Sequence, residues 1–554
     1  MKQLSIIIKS GSEVVSLLRD ISFKNKWDDL FKNCRWVTPY QSYNYISSWY
    51  EAYSQQYTPL LVFQLSQQDK LVGLLPLAIH KHNGTFEIAG AHQTEYQAWL
   101  ADTSCEDTFI QESLRTIFTK FNVKKLTFKY VLGRTPLRWL HSKTWSNHSV
   151  LKSKKRPLIN LEGDKFSLKL IKNKTNRNRL NRLKRQGEVK YAQIKDRDLF
   201  LKTLPKFEAI YDFRMLATYG VAPFSSDRSK RAFYLAMFDK KNLLHISVLH
   251  VGNQIVAFKI AIKDEKILYG SVTSFSPLFA RLGPAKLHLF YLFQNLIENN
   301  FSFYDLTPGH DPWKDSIANT YETVFEITFF NSSFRRNLAR FKFFLKEHIL
   351  HILIKLGVKP NYLWIIARSF GHNLIKGIAF DTLKIIFPER NSRYRVNIEQ
   401  AKQLPKYNRL SKDNLEDFLK IYPRIPGGLF NNFLVNSQKN FHAGQHPYTA
   451  TTSNSSFLFC GWLTDALNPQ YISTTISDNL SPKKVVLIRD ITAAGKDMSV
   501  DFIELALTQM IRDAALIPEV EEIIVIIPKK NNNLLGSIDK LNQRHSGLLE
   551  VMTG

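Results

Sequence analysis

Cysteine is scarce in this chain: Cys34, Cys105 and Cys460 are the only three in 554 residues, far apart and odd in number. They supply neither a disulfide framework nor the paired spacing of a zinc site, and they suit a reducing cytoplasm. Long apolar runs are also missing. No stretch of about 18 uncharged apolar residues occurs, so no segment is expected to span a bilayer. The opening MKQLSIIIKSGSEVV lacks an extended apolar core and a small-residue cleavage site, which predicts a first strand rather than a signal peptide. Negative charge is short as well: 48 Asp and Glu face 76 Lys and Arg, giving a net +28. That excess predicts attraction to polyanions, whether anionic lipid, phosphorylated small molecules or nucleic acid.

What is present is a globular composition. Hydrophobic residues make up 44% and aromatics 13%, which excludes a disordered chain. The length exceeds what one core fills, so two to four domains are expected. Tyr45, Trp49 and Tyr53 share one face of a helix predicted within 41–53. Residues 59–90 read as a strand meander, with Asn83-Gly84 as a hairpin signal. A helix over 106–121 and a strand over 124–131 follow. The same order returns in 165–330: a basic helix at 166–186, a strand at 188–194, helices at 198–216 and 226–238, three strands within 243–275, a helix, and a strand at 301–306. A third copy is expected in 405–554, where LSKDNLEDFLKIY opens a helix and strands are predicted at 447–452, 456–463, 483–491 and 521–528.

These patterns divide the chain into 1–150, 151–330, a basic amphipathic linker at 331–404, and 405–554. In the linker, Arg336, Arg340 and Lys346 are interleaved with an apolar face of Leu338, Phe341, Leu345 and Ile349. Two accounts of that face stand. It packs on the neighbouring domains, or it meets an anionic membrane surface weakly and in a salt-sensitive way.

Two stretches carry chemistry. In SFSPLFARLGPAK, Gly283 and Pro284 open a helix after a strand, leaving first-turn amides free for an anion, with Lys286 alongside. An ordinary Gly-Pro turn is the alternative. In YDLTPGHDPWKD, Asp305 ends a strand, and His310, Asp311, Trp313 and Lys314 crowd the loop after it. A solvated turn is the alternative there. The run NKTNRNRLNRLKRQGEVKY places Arg177, Arg179, Arg182, Lys184 and Arg185 within nine residues, either as a ligand-binding face or as a solvated one. Aromatics are not interleaved in it, which weighs against nucleic acid.

Taken in order, YQSYNYISSWYEAY, KLVGLLPL, GAHQTEYQAWLAD, the basic helix, SFSPLFARLGPAK and YDLTPGHDPWK resemble the acetyltransferases of the cellulose-biosynthesis (CelD/BcsL) type, in the GNAT superfamily and related to FemAB-like aminoacyl transferases. The resemblance covers residues 36–330. It rests on Gln41-Ser42, Gly73, Pro76-Leu77, the Arg177–Arg185 run, Asp305, Gly309 and Lys314. The chain departs from the pattern at Glu95-Tyr96-Gln97-Ala98, where Asp-Tyr-x-Asp is common, and at Trp313, where Tyr is common. It departs again at Ala280, which fills the position of a pyrophosphate-loop Arg or Gln, with Arg281 one residue late.

The resemblance implies a mixed α/β fold of tandem GNAT-like domains, each a central mixed sheet flanked by helices. It implies an acyl-CoA co-substrate, with acetyl-CoA as the expected form, and no metal. Arg281, Gly283, Ala285 and Lys286 are the implied donor-binding residues. Asp305 and His310 are candidates for the base that takes the acceptor's proton. Gln41, Glu95, Tyr96, Arg177, Arg182 and Lys314 are implied on the substrate side. The expected acceptor is a sugar or amine in exopolysaccharide or cell-envelope synthesis, and the expected place is the cytoplasm, peripheral at the inner membrane surface. A FemAB-like enzyme using aminoacyl-tRNA and a non-catalytic scaffold remain alternatives. The last module lacks the glycine turn in TAAGKDMS and reads as a degenerate copy for packing or a second substrate, with Asp490 and Glu504 as capping or solvated groups and a functional role as the alternative.

Overall fold

The computed structural model describes residues 5–162, 174–240, 243–309, 311–355, 391–420, 427–451, 457–464, 485–493, 499–529 and 531–552. Among them the fold is mixed α/β, with three sheets flanked by helices. The first sheet joins β1 (Ile7–Ser10), β2 (Tyr57–Leu65), β3 (Leu71–His80) and β4 (Phe86–Ile88) in sequence order, with β5 (Leu100–Ala101) also on β3, and every pairing is antiparallel. Gly84 takes φ +66° in the expected turn between β3 and β4. Eight consecutive residues of β3 are buried, Leu71 to Ala78, because the strand is covered on both faces. The helix Tyr43–Ala52 is part of that cover. Its Tyr45 and Trp49, and Tyr53 just beyond it, are fully buried, as their spacing predicts.

The second sheet runs β6-β13-β7-β12-β11-β10-β9-β8. Its strands are β6 (Lys125–Leu132), β7 (Ser149–Asn160), β8 (Val189–Gln193), β9 (Leu244–Val251), β10 (Gln254–Lys263), β11 (Ile267–Phe275), β12 (Phe303–Asp305) and β13 (Thr320–Phe330). The strand expected at 124–131 thus lies at the edge of this sheet and not in the first one. Only β11 and β12 run parallel here, and their pairing ends at Tyr269↔Asp305. β11 continues to Phe275, held by β10 alone on that stretch. The β10–β11 register slips between Ile260 and Ile262, a bulge that bends β11 where β12 stops.

The third sheet runs β15-β16-β17-β18-β19-β14-β20. It is made of β14 (Asn391–Val396), β15 (Ser411–Lys412), β16 (Gln445–Thr451), β17 (Phe457–Thr464), β18 (Val485–Ala493), β19 (Glu522–Pro528) and β20 (Leu549–Val551). Here too one pair, β18–β19, is parallel, and the strand before it bulges against β18, with Asp490 at φ +51°. This region shares a core with the rest of the molecule. Phe213 meets Phe418 and Phe441 edge-on at 5.5 Å each, and Trp462 joins the same cluster.

The described part of the amphipathic linker is the helix Ser333–Lys355. Its apolar stripe is exposed: Phe334, Leu338, Phe341, Phe344, Leu345 and Ile349 lie between 43% and 74% accessible. The packing account therefore fails for these side chains. Arg336 ties the start of the helix to the carbonyls of Ser149 and Ser146. No helix among the described residues is long and apolar enough to cross a membrane.

Candidate functional site

The gap opened by β11 and β12 gathers several buried charges, Arg156, Asp305 and Lys314 among them. Asp305, the last residue of β12, is 0% exposed. Its Oδ2 accepts from Arg156 Nε at 3.1 Å and Nη2 at 2.8 Å, and its Oδ1 accepts from the Thr307 amide at 2.7 Å. Arg156 is 1% exposed and sits on β7, where it also reaches Glu322 at 2.7 Å across the β7–β13 ladder. Its guanidinium stacks over Tyr96 at 4.7 Å and donates to the Tyr96 hydroxyl at 3.2 Å. Burial opposes its charge most strongly, but Asp305, Tyr96 and Tyr269 together hold the pKa above its ordinary value. Desolvation drives the Tyr96 phenol well above the usual range, so it stays protonated.

Thr307 takes φ +60° and turns the chain out of β12. Its carbonyl and hydroxyl accept from Lys314 Nζ at 3.3 and 3.4 Å, and Asp311 lies 3.3 Å from the same ammonium. A Cβ on Gly309 would stand 3.1 Å from that Nζ. Asp305, Tyr96 and Lys314 are therefore brought together. His310 lies outside the described residues. Gln41 is structural in its contacts: its Oε1 accepts from the Thr38 amide and hydroxyl at 3.0 Å, and its Nε2 donates to the Tyr96 carbonyl at 2.6 Å. Glu95 is half-buried, 3.5 Å from Lys129 Nζ. Its carboxylate acts on Tyr96 and Tyr130 on one side and on Tyr211, Tyr234 and Lys230 on the other. It thus stands between Tyr96 of the first region and the helices that carry Tyr211, Tyr234 and Lys230.

On the opposite face of the sheet, the helix Pro284–Glu298 begins at Gly283, which adopts φ +64°. No side chain caps that start, Pro284 brings no amide, and the Lys286 amide turns back to the Gly283 carbonyl at 3.2 Å, which leaves the Ala285 amide as the open first-turn donor. Ala285 and the exposed Lys286 lie in this turn. Arg179 of the basic helix Lys174–Lys184 packs on Gly283, 3.0 Å from where a Cβ would be. Arg177 and Arg182 are exposed on that helix. Arg281 points elsewhere: its guanidinium covers Gly444 of the third region, whose Cβ would stand 2.3 Å from Arg281 Cζ.

Sequence reasoning missed Arg156 and the groups facing the Pro284–Glu298 helix. Lys259 on β10 is 1% exposed and donates to Thr273 at 3.0 Å. Burial pulls its pKa down to about 7, Asp305 opposing and Lys314 adding to the fall. His288 on that helix meets Ser247 at 3.1 Å, and burial lowers its pKa to about 3. His245 is lowered by the same cause to about 3, and its Nε2 is buried without a partner. Among the described residues no group of acidic, histidine or cysteine side chains is arranged to hold a metal.

Residues 172–315 match the family model of the acetyltransferase (GNAT) domain. That stretch spans the basic helix, β8 to β12 and Lys314. No curated protein matches the chain. Solved structures similar to it include L-PGS from Bacillus licheniformis, at 13% identity over 55% of this chain and 91% of that one, TM-score 0.37. FemX is similar at 9% over 56% and 96%, TM-score 0.39. A tandem GNAT protein from the clavulanic acid biosynthesis pathway is similar at 11% over 59% and 98%, TM-score 0.35.

Proposed function

We propose that the chain is an acyl-CoA-dependent N- or O-acyltransferase acting in exopolysaccharide or cell-envelope synthesis. The observation that carries this reading is the parted β11–β12 pair within the stretch matched as a GNAT domain. Past Tyr269, β12 no longer pairs with β11, and a thioester placed in that gap would lie beside the backbone amides of β11. The uncapped helix start at Gly283 receives the donor's phosphates, aided by Lys286 and Arg179. The envelope assignment draws on the ordered motifs that resemble cellulose-biosynthesis acetyltransferases.

Both Asp305 oxygens are engaged, so its role is to hold Arg156 and, through it, Tyr96. His310, between Gly309 and Asp311, is then the base. His310→Ala should lower turnover by about 10²-fold or more at an unchanged melting temperature. Acetyl-CoA should raise the melting temperature by mass action. No shift at millimolar acetyl-CoA, with a shift from aminoacyl-tRNA, would transfer the case to the second reading. The exposed Arg177, Arg182, Lys184 and Arg185 favour that reading.

The exposed stripe of Ser333–Lys355, flanked by Arg335, Arg340 and Lys342, supports peripheral contact with an anionic membrane. Co-sedimentation with anionic vesicles should be strong at low salt and weak at high salt. Charge reversal at Arg335, Arg340 and Lys342 should remove it. Absence of binding at low salt would end the idea.

A further inference from the structure

The wall formed by the helices Arg197–Tyr219 and Arg228–Phe238 carries two cations that the chemistry above does not use. Lys230, on the helix Arg228–Phe238, is 9% exposed. Its Nζ lies 5.1 Å from the Phe224 ring centre and 5.8 Å from that of Tyr211, and among the described residues it makes no hydrogen bond or ion pair. Asp227, Asp212 and Glu95 favour its charge from a distance, without an ion pair to it. Asp212 accepts from the Phe224 amide at 2.9 Å, the Ser225 amide at 2.7 Å and the Ser225 hydroxyl at 2.6 Å. Asp227 Oδ2 accepts from Tyr53 at 2.6 Å and Gln93 at 3.1 Å, while its Oδ1 is buried without a partner.

Arg214 is one helical turn beyond Tyr211 on the helix Arg197–Tyr219. Its guanidinium lies 5.3 Å from the ring centre of Phe275, the last residue of β11, and it too has no ion pair among the described residues. Tyr234 ties this wall to the unpaired part of β11 through Ser271 at 3.2 Å. Two cations therefore flank Tyr211 along the edge where β12 has left. Burial lowers the pKa of both, outweighing Asp227, Asp212 and Glu95 at Lys230 and Tyr211, Tyr219 and Asp311 at Arg214. Buried cations without partners weaken a protein and are retained where a ligand completes them.

We propose that the acceptor carries an anionic group, a carboxylate or a phosphate, which binds over Tyr211 between Lys230 and Arg214. This rests on the acyltransferase reading and narrows its acceptor to an acidic sugar or amine. The probes are glucosamine 6-phosphate, glucuronic acid and neutral glucosamine, each followed by thermal shift at millimolar concentration, with acetyl-CoA as a separate arm. Either or both anionic probes should raise the melting temperature of the wild type, and glucosamine should not. Which anion does so separates phosphate from carboxylate. Lys230→Met and Arg214→Met should each weaken that shift at least tenfold in apparent affinity, keep the acetyl-CoA shift, and leave Arg214→Lys intermediate. Lys230→Met should also raise the ligand-free melting temperature, because an uncompensated buried charge is removed. The proposal is overturned if neither anion shifts the wild type at tens of millimolar, or if the variants respond like the wild type. It is overturned equally if Lys230→Met lowers the melting temperature by several degrees, which marks a structural cation paired with Asp227. Loss of the acetyl-CoA arm alone would instead count against the acyltransferase reading.

Discussion

The second and third sheets have similar backbones and opposite chemistry. Each has one parallel pair, a bulge against the strand that outruns its partner, and a helix after that strand. In the second sheet the pairing ends on Tyr269 and Asp305, with Arg156 beneath and Lys259 on the other face. In the third it ends on Ile488 and Val525, both fully buried among Val486, Ile523 and Ile527. The helix starts differ in the same sense. Gly283 gives its helix no side-chain cap, whereas the Ser499 hydroxyl accepts from the Phe502 amide at 3.2 Å. A shared backbone plan thus carries different side chains at the end of its parallel pair and at its helix start. The third region instead closes a core, and it lends Gly444 as a surface for Arg281.

The sharpest way to break the comparison is at the ends of the two parallel pairs. Arg156→Met should cost about 3–5 kcal/mol, because Asp305 is left buried and unpaired. Ile488→Val in the third sheet should cost about 1 kcal/mol. Urea unfolding of both variants measures the difference, and equal costs would show that the Arg156 pair is not special.

Lys259 gives the next largest effect. Its folded pKa of about 7 lies below that of an unfolded lysine, so the fold resists the proton. Below pH 7 both states carry the charge and the whole penalty applies. As pH rises from about 7 toward 10.5 the fold sheds its proton first, and stability climbs. Lys259→Met should therefore be more stable than the parent by on the order of 3 kcal/mol at pH 6, with the gap closing by pH 10. A gap independent of pH would remove the charge from the explanation.

The helix starts give the smallest effects and the cleanest contrast. Ser499→Ala should cost about 1 kcal/mol and leave any acetyl-CoA shift intact. Gly283→Val, strained at its positive φ and crowding Arg179, should abolish that shift while the chain stays folded. Gly444→Val should displace Arg281 and leave acetyl-CoA binding unchanged in a titration, with a severalfold loss returning Arg281 to the donor site.

Much of this was legible from residue order. The aromatic helix, the hairpin at Asn83-Gly84, the strands within 243–275 and the Gly283-Pro284 helix start are local signals, and they appear where expected. The strand at 124–131 was legible as a strand but not as a member of the second sheet, because pairing with β13 spans nearly two hundred residues. Arg156 hid in KSKKRPLIN, a run that reads as exposed, since its partner Asp305 is 149 positions away. Lys259 hid in VAFKIAIK, where alternation assigns it to water; coverage of β10 on both faces overrides that rule. The exposure of the Ser333–Lys355 stripe was undecidable from spacing, which is the same for a core face and a free one.

The order of strands in the second sheet also sets where the chain can be cut. The stretch matched as a GNAT domain, 172–315, contains β8 to β12 but none of β7, β13 and β6. A fragment with those ends would expose the whole edge of β12 to pairing with other chains, and it would strand Asp305 without Arg156. The segment recognisable by descent is therefore smaller than the segment able to fold, and the missing strands must be carried from as far upstream as Lys125 and as far downstream as Phe330.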